Sequence, residues 1–225
     1  MVKSEPTAFN RVAHVLIVDD HPLVREGIAV RVNAQHDMQV CGEASSVDEA
    51  LEAVRTLHPD VAVIDIALID SSGLELIDEL HARYPEIKML VVSAYDEFLY
   101  AERSLRAGAH GYICKRELQE DILKALRTVL EGERYVSSRV AQRMLGQAIR
   151  RVDPREHDPI ERLSNRELQV FELIGDGKTT SAIAAALHLS VHTIDTHREK
   201  IRHKLGLKNG AELMQRAVQW RLESR

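Results

Sequence analysis

The chain has 225 residues, 44% hydrophobic and 4% aromatic, with 30 Lys+Arg against 35 Asp+Glu and a net charge of −5. That length suits two compact domains or one large one. No run approaches the roughly 18 apolar residues of a membrane span, and the start MVKSEPTAFNRVA lacks the apolar core of a secretion signal, so a cytoplasmic protein without a membrane partner is expected.

The charge is unevenly placed. Residues 1–160 are net −8 and residues 161–225 net +3, which suggests two domains with different partners. The two cysteines, Cys41 and Cys114, form no CxxC pair and are expected as buried thiols.

From His14 to about Gly132, short β-branched runs alternate with amphipathic stretches of helical length. Strands are expected at His14–Val18, Met38–Glu43, Val61–Ile64, Ile87–Val92 and His110–Ile113. Helices are expected at Pro22–Asn33, Val47–Leu57, Leu74–Arg83, Glu97–Ala107 and Glu117–Leu130. Five βα repeats imply an α/β domain with a doubly wound parallel sheet covered on both faces. A linker at 133–160 follows, with a short helix at Ser138–Arg150 and then the charged, proline-bearing RRVDPREHDPIER. Four helices are expected beyond it, at Asn165–Asp176, Thr180–His188, Val191–Leu205 and Ala211–Arg221, giving a second, all-α domain over 161–225.

In such a sheet chemistry collects at the carboxyl ends of the strands. There the sequence places Asp19 and Asp20 after strand one, Asp65 after strand three, Ser93 after strand four and Lys115 after strand five. Asp19-Asp20 before a proline also suits an ordinary helix cap. Three carboxylates converging to about 4 Å would repel by roughly 4 kcal/mol per pair at an effective dielectric near 20, comparable in total with a domain's whole stability. A hard dication such as Mg²⁺, together with Lys115, can neutralise them, and a carboxylate beside two cations is a reasonable phosphoryl acceptor.

These residues carry a resemblance. VLIVDDHPLVREG, VAVIDIALIDSSG, MLVVSAYDE and GAHGYICK stand in the order and spacing of receiver signatures, so residues 13–132 resemble the receiver domain of two-component response regulators. The resemblance implies a flavodoxin-like sheet in the order 2-1-3-4-5, with Asp65 accepting a phosphoryl group from a histidine kinase. It implies Mg²⁺ held by Asp19, Asp20, Asp65 and the backbone carbonyl of Ala67. It also implies Ser93 and Lys115 stabilising the phosphoryl group and Tyr112 as the aromatic that changes rotamer. Two positions depart from the family: Leu68-Ile69 replace a usual Met-Pro, and Arg116 stands where many receivers have proline.

In the basic part, Ser164 and Glu167 form a capping-box pattern, Gly177 ends that helix, and Leu189-Ser190 turns into VHTIDTHREKIRHKLG. The tight spacing suggests a helix-turn-helix. In its third helix Ile194, Ile201 and Leu205, joined by His197, are expected inside, with Arg198, Lys200, Arg202, His203 and Lys204 on or beside the exposed side. That side suits either a major groove or plain solvent. Residues 162–222 resemble the LuxR-type DNA-binding domain at Leu163, Glu167, Val170, Leu173, Gly177, Ile183, Ala184, Leu187, Ser190, Thr193, Ile194, His197, Ile201, Lys204 and Leu205.

Together the two resemblances imply a NarL/FixJ-class response regulator, not an enzyme, which binds double-stranded DNA and acts as a homodimer when phosphorylated. The expected contacts to DNA are Thr193, Asp195, Thr196, Arg198, Glu199, Lys200, Arg202 and Lys204, with the acidic Asp195 and Glu199 at positions that are often basic. Two other readings of the same residues are a constitutive DNA-binding protein whose receiver only dimerises, and a phosphohydrolase working through an aspartyl phosphate. Against the second, Asp65 lacks an acid partner on its own short loop. His188, His192 and His197 lie close in sequence but are divided by Ser190 and have no cysteine with them, which disfavours a zinc site.

Overall fold

The computed structural model describes residues 11–68, 72–94, 97–149 and 159–223. Contacts divide the chain into two units, 1–141 and 142–225. The RRVDPREHD part of the expected linker lies outside the described residues, and with it Arg150 at the end of the expected linker helix.

The first unit alternates β1 (Ala13–Val18), α1 (Pro22–Asn33), β2 (Met38–Ala44), α2 (Val47–Leu57), β3 (Val61–Asp65), α3 (Gly73–Arg83), β4 (Lys88–Ser93), α4 (Glu97–Arg106), β5 (Gly111–Cys114) and α5 (Leu118–Leu130). All strands are parallel, in the order β2-β1-β3-β4-β5. The order reverses between β1 and β3, which is where a doubly wound sheet opens its crevice. One face buries Val15, Ile17, Val63, Leu90, Val92 and Ile113 against Ile28 and Val32 of α1 and Ile122, Leu126 and Val129 of α5. Strand alternation sends Leu16, Val18, Ile64, Val91 and Tyr112 to the other face, where they are equally buried.

Local chemistry sets the helix ends. Ser46 accepts the Glu49 amide and caps α2, which stops at His58 in the left-handed region (φ 47°) with Pro59 next. Ser72 caps α3 by accepting the Leu74 amide. The lysine turn after β5 departs from expectation: Lys115–Glu117 form a single 3₁₀ turn before α5 begins at Leu118. The β4 and β5 ends also shift by one residue toward the carboxyl side, so that Ser93 and Cys114 close their strands. Cys114 is buried as expected, whereas Cys41 is only half-buried, because its strand lies at the margin of the sheet.

The first residues of the expected linker are not independent of the sheet. Tyr135 runs parallel beside β5, its carbonyl accepting the Tyr112 amide at 2.8 Å and its amide donating to His110 O at 3.1 Å. Arg134 donates to Ala109 O at 2.6 Å, and Lys124 of α5 lies 5.9 Å from the centre of the Tyr135 ring. The helix that follows, α6, spans Ser138–Ile149.

The second unit holds α7 (Asn165–Gly175), α8 (Thr180–Ala186), α9 (Val191–Leu205) and α10 (Gly210–Glu223), entered by a 3₁₀ turn at Pro159–Arg162. The capping box is present: Ser164 accepts the Glu167 amide, and Glu167 accepts the Ser164 amide at 2.7 Å. The second helix ends two residues earlier than expected, before His188 turns left-handed (φ 52°). Phe171, Ile183, Ile194, Ile201, Leu213 and Ala217 are fully buried, and the single tryptophan, Trp220, packs on Phe171 with ring centres 5.8 Å apart.

Gly73 is the tightest joint between fold and site. A Cβ there would lie 2.0 Å from the carbonyl oxygen of Asp65, and the Gly73 amide already donates to Ile66 O at 2.9 Å. Gly73→Ala therefore pushes on the backbone that carries Asp65. It is expected to destabilise the receiver by about 1–3 kcal/mol, the usual cost of overpacking a filled interior, read from urea unfolding by circular dichroism.

Candidate functional site

At the carboxyl ends of β1, β3 and β5 the chain gathers Asp19, Asp20, Asp65 and Lys115. Asp65 and Asp19 are each 2% exposed. The Lys115 ammonium stands between them, 2.7 Å from Asp65 Oδ2 and 2.7 Å from Asp19 Oδ2. β5 and its 3₁₀ turn position that lysine, and β3 carries Asp65 in phase with Val61 and Val63. Asp19 is fixed further by the His21 amide, which donates to its Oδ1 at 2.8 Å, and by Arg25, which donates to its backbone carbonyl at 2.7 Å.

One lysine cannot satisfy two buried carboxylates. Asp65 Oδ1 is buried with no hydrogen-bond partner, and Asp20 Oδ1 is met only by the His21 imidazole. Burial pushes the Asp65 carboxyl up to about 6; Lys115 pulls it down and Asp19 pushes it up again. Burial works against the charge of Lys115, but the two carboxylates outweigh it and hold its ammonium above the ordinary lysine range. A pocket with a buried, unpartnered carboxylate oxygen is a natural receptor for a cation.

Ser93 and Tyr112 are buried at the ends of β4 and β5. Val91 pairs with Tyr112 in the ladder, so Ser93 and Tyr112 project from the same face of the sheet. Ala67 is half-buried and bridges to Ser72 on the loop leading to α3. Of the Leu68-Ile69 pair that departs from the family there, Leu68 is buried and Ile69 lies outside the described residues. The sequence reading passed over His21. Its Nδ1 is 2.5 Å from Asp20 Oδ1 and 3.2 Å from Asp19 Oδ1, and one donor atom from each of Asp19, Asp20, His21 and Asp65 falls within 4.8 Å of the others. The signal was available, since His21 directly follows the two aspartates.

In the second unit α9 begins at Ser190, which accepts the Thr193 amide at 3.0 Å, and ends at left-handed Gly206 (φ 67°). Asp195, Thr196, Glu199 and Lys200 are exposed, and Thr193 and Arg198 half-exposed. Ile194 and Ile201 are buried as expected, whereas Leu205 and His197 are only half-buried. Burial pulls the His197 imidazole below its usual range, with Lys200 adding to the effect. Glu199 pairs with Arg202 at 2.8 Å. Lys204 is exposed as expected, but its ammonium lies 2.6 Å from Oε2 of buried Glu167, so that it ties α9 to the capping box of α7.

Two family models match the chain: the response regulator receiver domain over residues 15–150, and the bacterial regulatory proteins of the luxR family over 161–217. The chain is 36% identical over 205 residues to the response regulator GacA of Pseudomonas aeruginosa, covering 91% of this chain and 94% of that one. It is 35% identical over 212 residues to the oxygen regulatory protein NreC of Staphylococcus haemolyticus, covering 92% and 98%. Among solved structures, RcsB of Salmonella enterica serovar Typhimurium, bound to the promoter P1flhDC in the presence of the phosphomimetic BeF₃⁻, shares the fold with a TM-score of 0.61 at 23% identity, over 93% of this chain and 100% of that one. A LuxR-family two-component response regulator of Aurantimonas matches with a TM-score of 0.58 at 27% identity, over 62% of this chain and 99% of that one.

The chain belongs to the two-component response regulators of the NarL/FixJ class, in which a receiver is joined to a LuxR-type helix-turn-helix. It is thus a DNA-binding transcription regulator governed by phosphorylation, with a histidine kinase as the source of phosphate. No helix among the described residues is long and apolar enough to cross a membrane.

Glu167 offers a direct test of the helical domain. Burial raises its pKa, but Lys204 and the Ser164 amide outweigh burial and hold it below the ordinary value of 4.5. A carboxyl depressed by folding stabilises the folded state above its unfolded pKa, and that stability is lost as pH falls through the folded pKa. On acidification below about pH 4.5 the wild-type unfolding midpoint read from Trp220 emission is expected to fall more steeply than that of Glu167→Gln, which lacks this titration.

Proposed function

We propose that Asp65 is the phosphoacceptor, that Asp19, Asp20, Asp65 and the Ala67 carbonyl hold Mg²⁺ beside it, and that α9 carries the response to DNA. The observation that carries this reading is the buried Asp65 oxygen without a partner, in a carboxylate whose other oxygen is engaged by Lys115. The free oxygen attacks the phosphorus of a phosphohistidine. The P–N bond breaks, its electron pair returns to the kinase imidazole, and an acyl phosphate forms on Asp65. Mg²⁺ supplies positive charge to the phosphoryl oxygens. Lys115, already between Asp19 and Asp65, turns its ammonium to the new anion, and the Ser93 hydroxyl donates to it. Tyr112 repacks on the same face as Ser93. Moving a population from 1:99 to 99:1 takes about 5.5 kcal/mol of differential stabilisation, within reach of one phosphoryl group with a dication and two new partners.

Phosphate on Asp65 is a stoichiometric signal, so the protein is a carrier and not a catalyst of phosphomonoester turnover. The receiver occupies residues 13–132 and the DNA-binding domain 161–225, joined through 133–160. The active form is a cytoplasmic homodimer whose two α9 helices enter the major groove at two half-sites. The likeness to RcsB, described as dimers bound to DNA, supports this assembly. Arg198 and Lys200 meet phosphates, Arg202 follows on the same helix, and Thr193, Asp195, Thr196 and Glu199 lie toward the bases. Lys204 contributes through its tie to Glu167, which fixes the pitch of α9.

Incubation with a small phosphodonor and Mg²⁺, followed by intact-mass measurement, tests the receiver. The wild type is expected to gain one phosphoryl group, and Asp65→Asn none. The Asp19→Asn/Asp20→Asn double variant should lose the Mg²⁺-dependent gain while its Trp220 emission stays that of the folded helical domain. Equal gain in Asp65→Asn, or none in the wild type, refutes the assignment.

For α9, Arg198→Ala or Lys200→Ala should weaken DNA binding across sequences and reduce the slope of log K against log salt by about 1. Unchanged slopes in both variants remove them from the DNA interface.

A further inference from the structure

The turn between β1 and α1 carries both Asp19 and Asp20, and its backbone falls between two hydrogen-bonding systems. The β1 ladders to β2 and β3 end at Val18, and α1 takes its first carbonyl from His21, whose oxygen accepts from Val24 at 3.0 Å and from Arg25 at 3.2 Å. The Asp19 amide still donates to Ala44 O at 3.1 Å, but the Asp19 carbonyl lies beyond the ladder and before the helix. A buried carbonyl needs a donor, and Asp19 is 2% exposed.

Arg25 supplies that donor. It stands one turn into α1, after the His21 cap, and helical side chains lean toward the amino end of their helix, so its guanidinium reaches back over the turn. Nη1 donates to the Asp19 carbonyl at 2.7 Å, and Nε donates to Oε2 of Glu43, near the end of β2, at 2.9 Å. The Arg25 side chain is 17% exposed, and a planar group fixed at two points keeps little freedom. One guanidinium therefore joins the ends of β1 and β2 to the start of α1. Its bonds go to a backbone carbonyl and to Glu43, not to the carboxylate oxygens of Asp19, Asp20 or Asp65, so its part in the chemistry passes through the turn.

We propose that Arg25 is a positioning residue for phosphoryl transfer to Asp65: by fixing the Asp19 carbonyl against Glu43, it sets the direction in which Asp19 and Asp20 present their carboxylates. The inference rests on the reading of those two residues as cation-holding carboxylates. The sign of the effect separates aim from charge. A guanidinium near a cation site repels a dication, so loss of its charge alone would tighten binding. Loss of the clamp frees the turn and weakens binding, and partners that orient metal-holding groups are typically worth roughly 10–100-fold in affinity.

Mg²⁺ titration of the full-length protein without a phosphodonor, followed by the amide shifts of Asp19, Asp20 and His21, reads the affinity directly. Arg25→Met is expected to weaken Mg²⁺ binding by about tenfold or more. Glu43→Gln should weaken it by less, and adding Glu43→Gln to Arg25→Met should weaken it no further, because Glu43 acts through the guanidinium. The Mg²⁺ dependence of phosphorylation by a small phosphodonor should shift by the same factor, with the rate at saturating Mg²⁺ within about threefold of wild type. Unchanged or tighter Mg²⁺ binding in folded Arg25→Met, or equal weakening by Glu43→Gln with and without Arg25, overturns the proposal and leaves the carboxylate site standing. If Arg25→Met does not fold, Glu43→Gln decides alone, weaker binding supporting the clamp and unchanged binding refuting it. Undiminished Mg²⁺ binding by Asp19→Asn/Asp20→Asn removes the cation site itself, and the proposal with it.

Discussion

The Lys115 ammonium lying 2.7 Å from both Asp19 and Asp65 is the contact on which the receiver's chemistry depends. Two carboxylates brought below the protein surface by β1 and β3 would repel each other at close range, and β5 delivers the one cation that makes their approach tolerable. The sheet order brings this about, because the acids sit on neighbouring central strands and the lysine arrives from the far edge. Compensation is incomplete in its geometry: one ammonium faces two carboxylates, and Oδ1 of Asp65 is left without a partner. A fully neutralised cluster would be stable and inert.

The helical domain uses the same device for a different end. Glu167 is almost wholly buried, and its Oε2 accepts from both Lys204 and the Ser164 amide. The result is a brace between the first and third helices of the domain. Comparing the two ion pairs separates a structural buried charge from a functional one. In the brace two donors meet one carboxylate, whereas in the receiver pocket one ammonium is shared between two carboxylates.

Much of this was legible from the sequence because the fold writes itself in periodicities. Runs such as VLIV and VAVI are apolar at every position, which only strands buried on both faces require, and the acidic residues fall immediately after them. Helix starts were readable where a capping side chain is local, as at Ser164 with Glu167. The ends that moved did so through backbone geometry that composition does not carry: His188 turns left-handed without being glycine, and Lys115–Glu117 wind into a 3₁₀ turn before α5. Side-chain destinations were the least visible. Lys204 looks like one more basic residue on an exposed helix until its partner, 37 residues away, is seen. His21 goes unremarked beside two aspartates in the sequence, and only the direction of its ring shows that it faces the carboxylates. Cys41, with no CxxC partner, was expected as a buried thiol, but its strand lies at the margin of the sheet.

The pairing of Tyr135 with β5 bears on where the receiver can be cut. A parallel sheet has two rims, and each presents a row of backbone donors and acceptors able to recruit a strand from another molecule. At the β5 rim the Tyr112 amide and the His110 carbonyl are both taken by Tyr135. A fragment severed at Gly132 would retain every helix and strand of the α/β repeat, yet it would bare those two groups along a strongly apolar strand and invite self-association. Carrying the chain through Val136 keeps that rim closed, so the smallest well-behaved receiver extends past the last helix of its repeat.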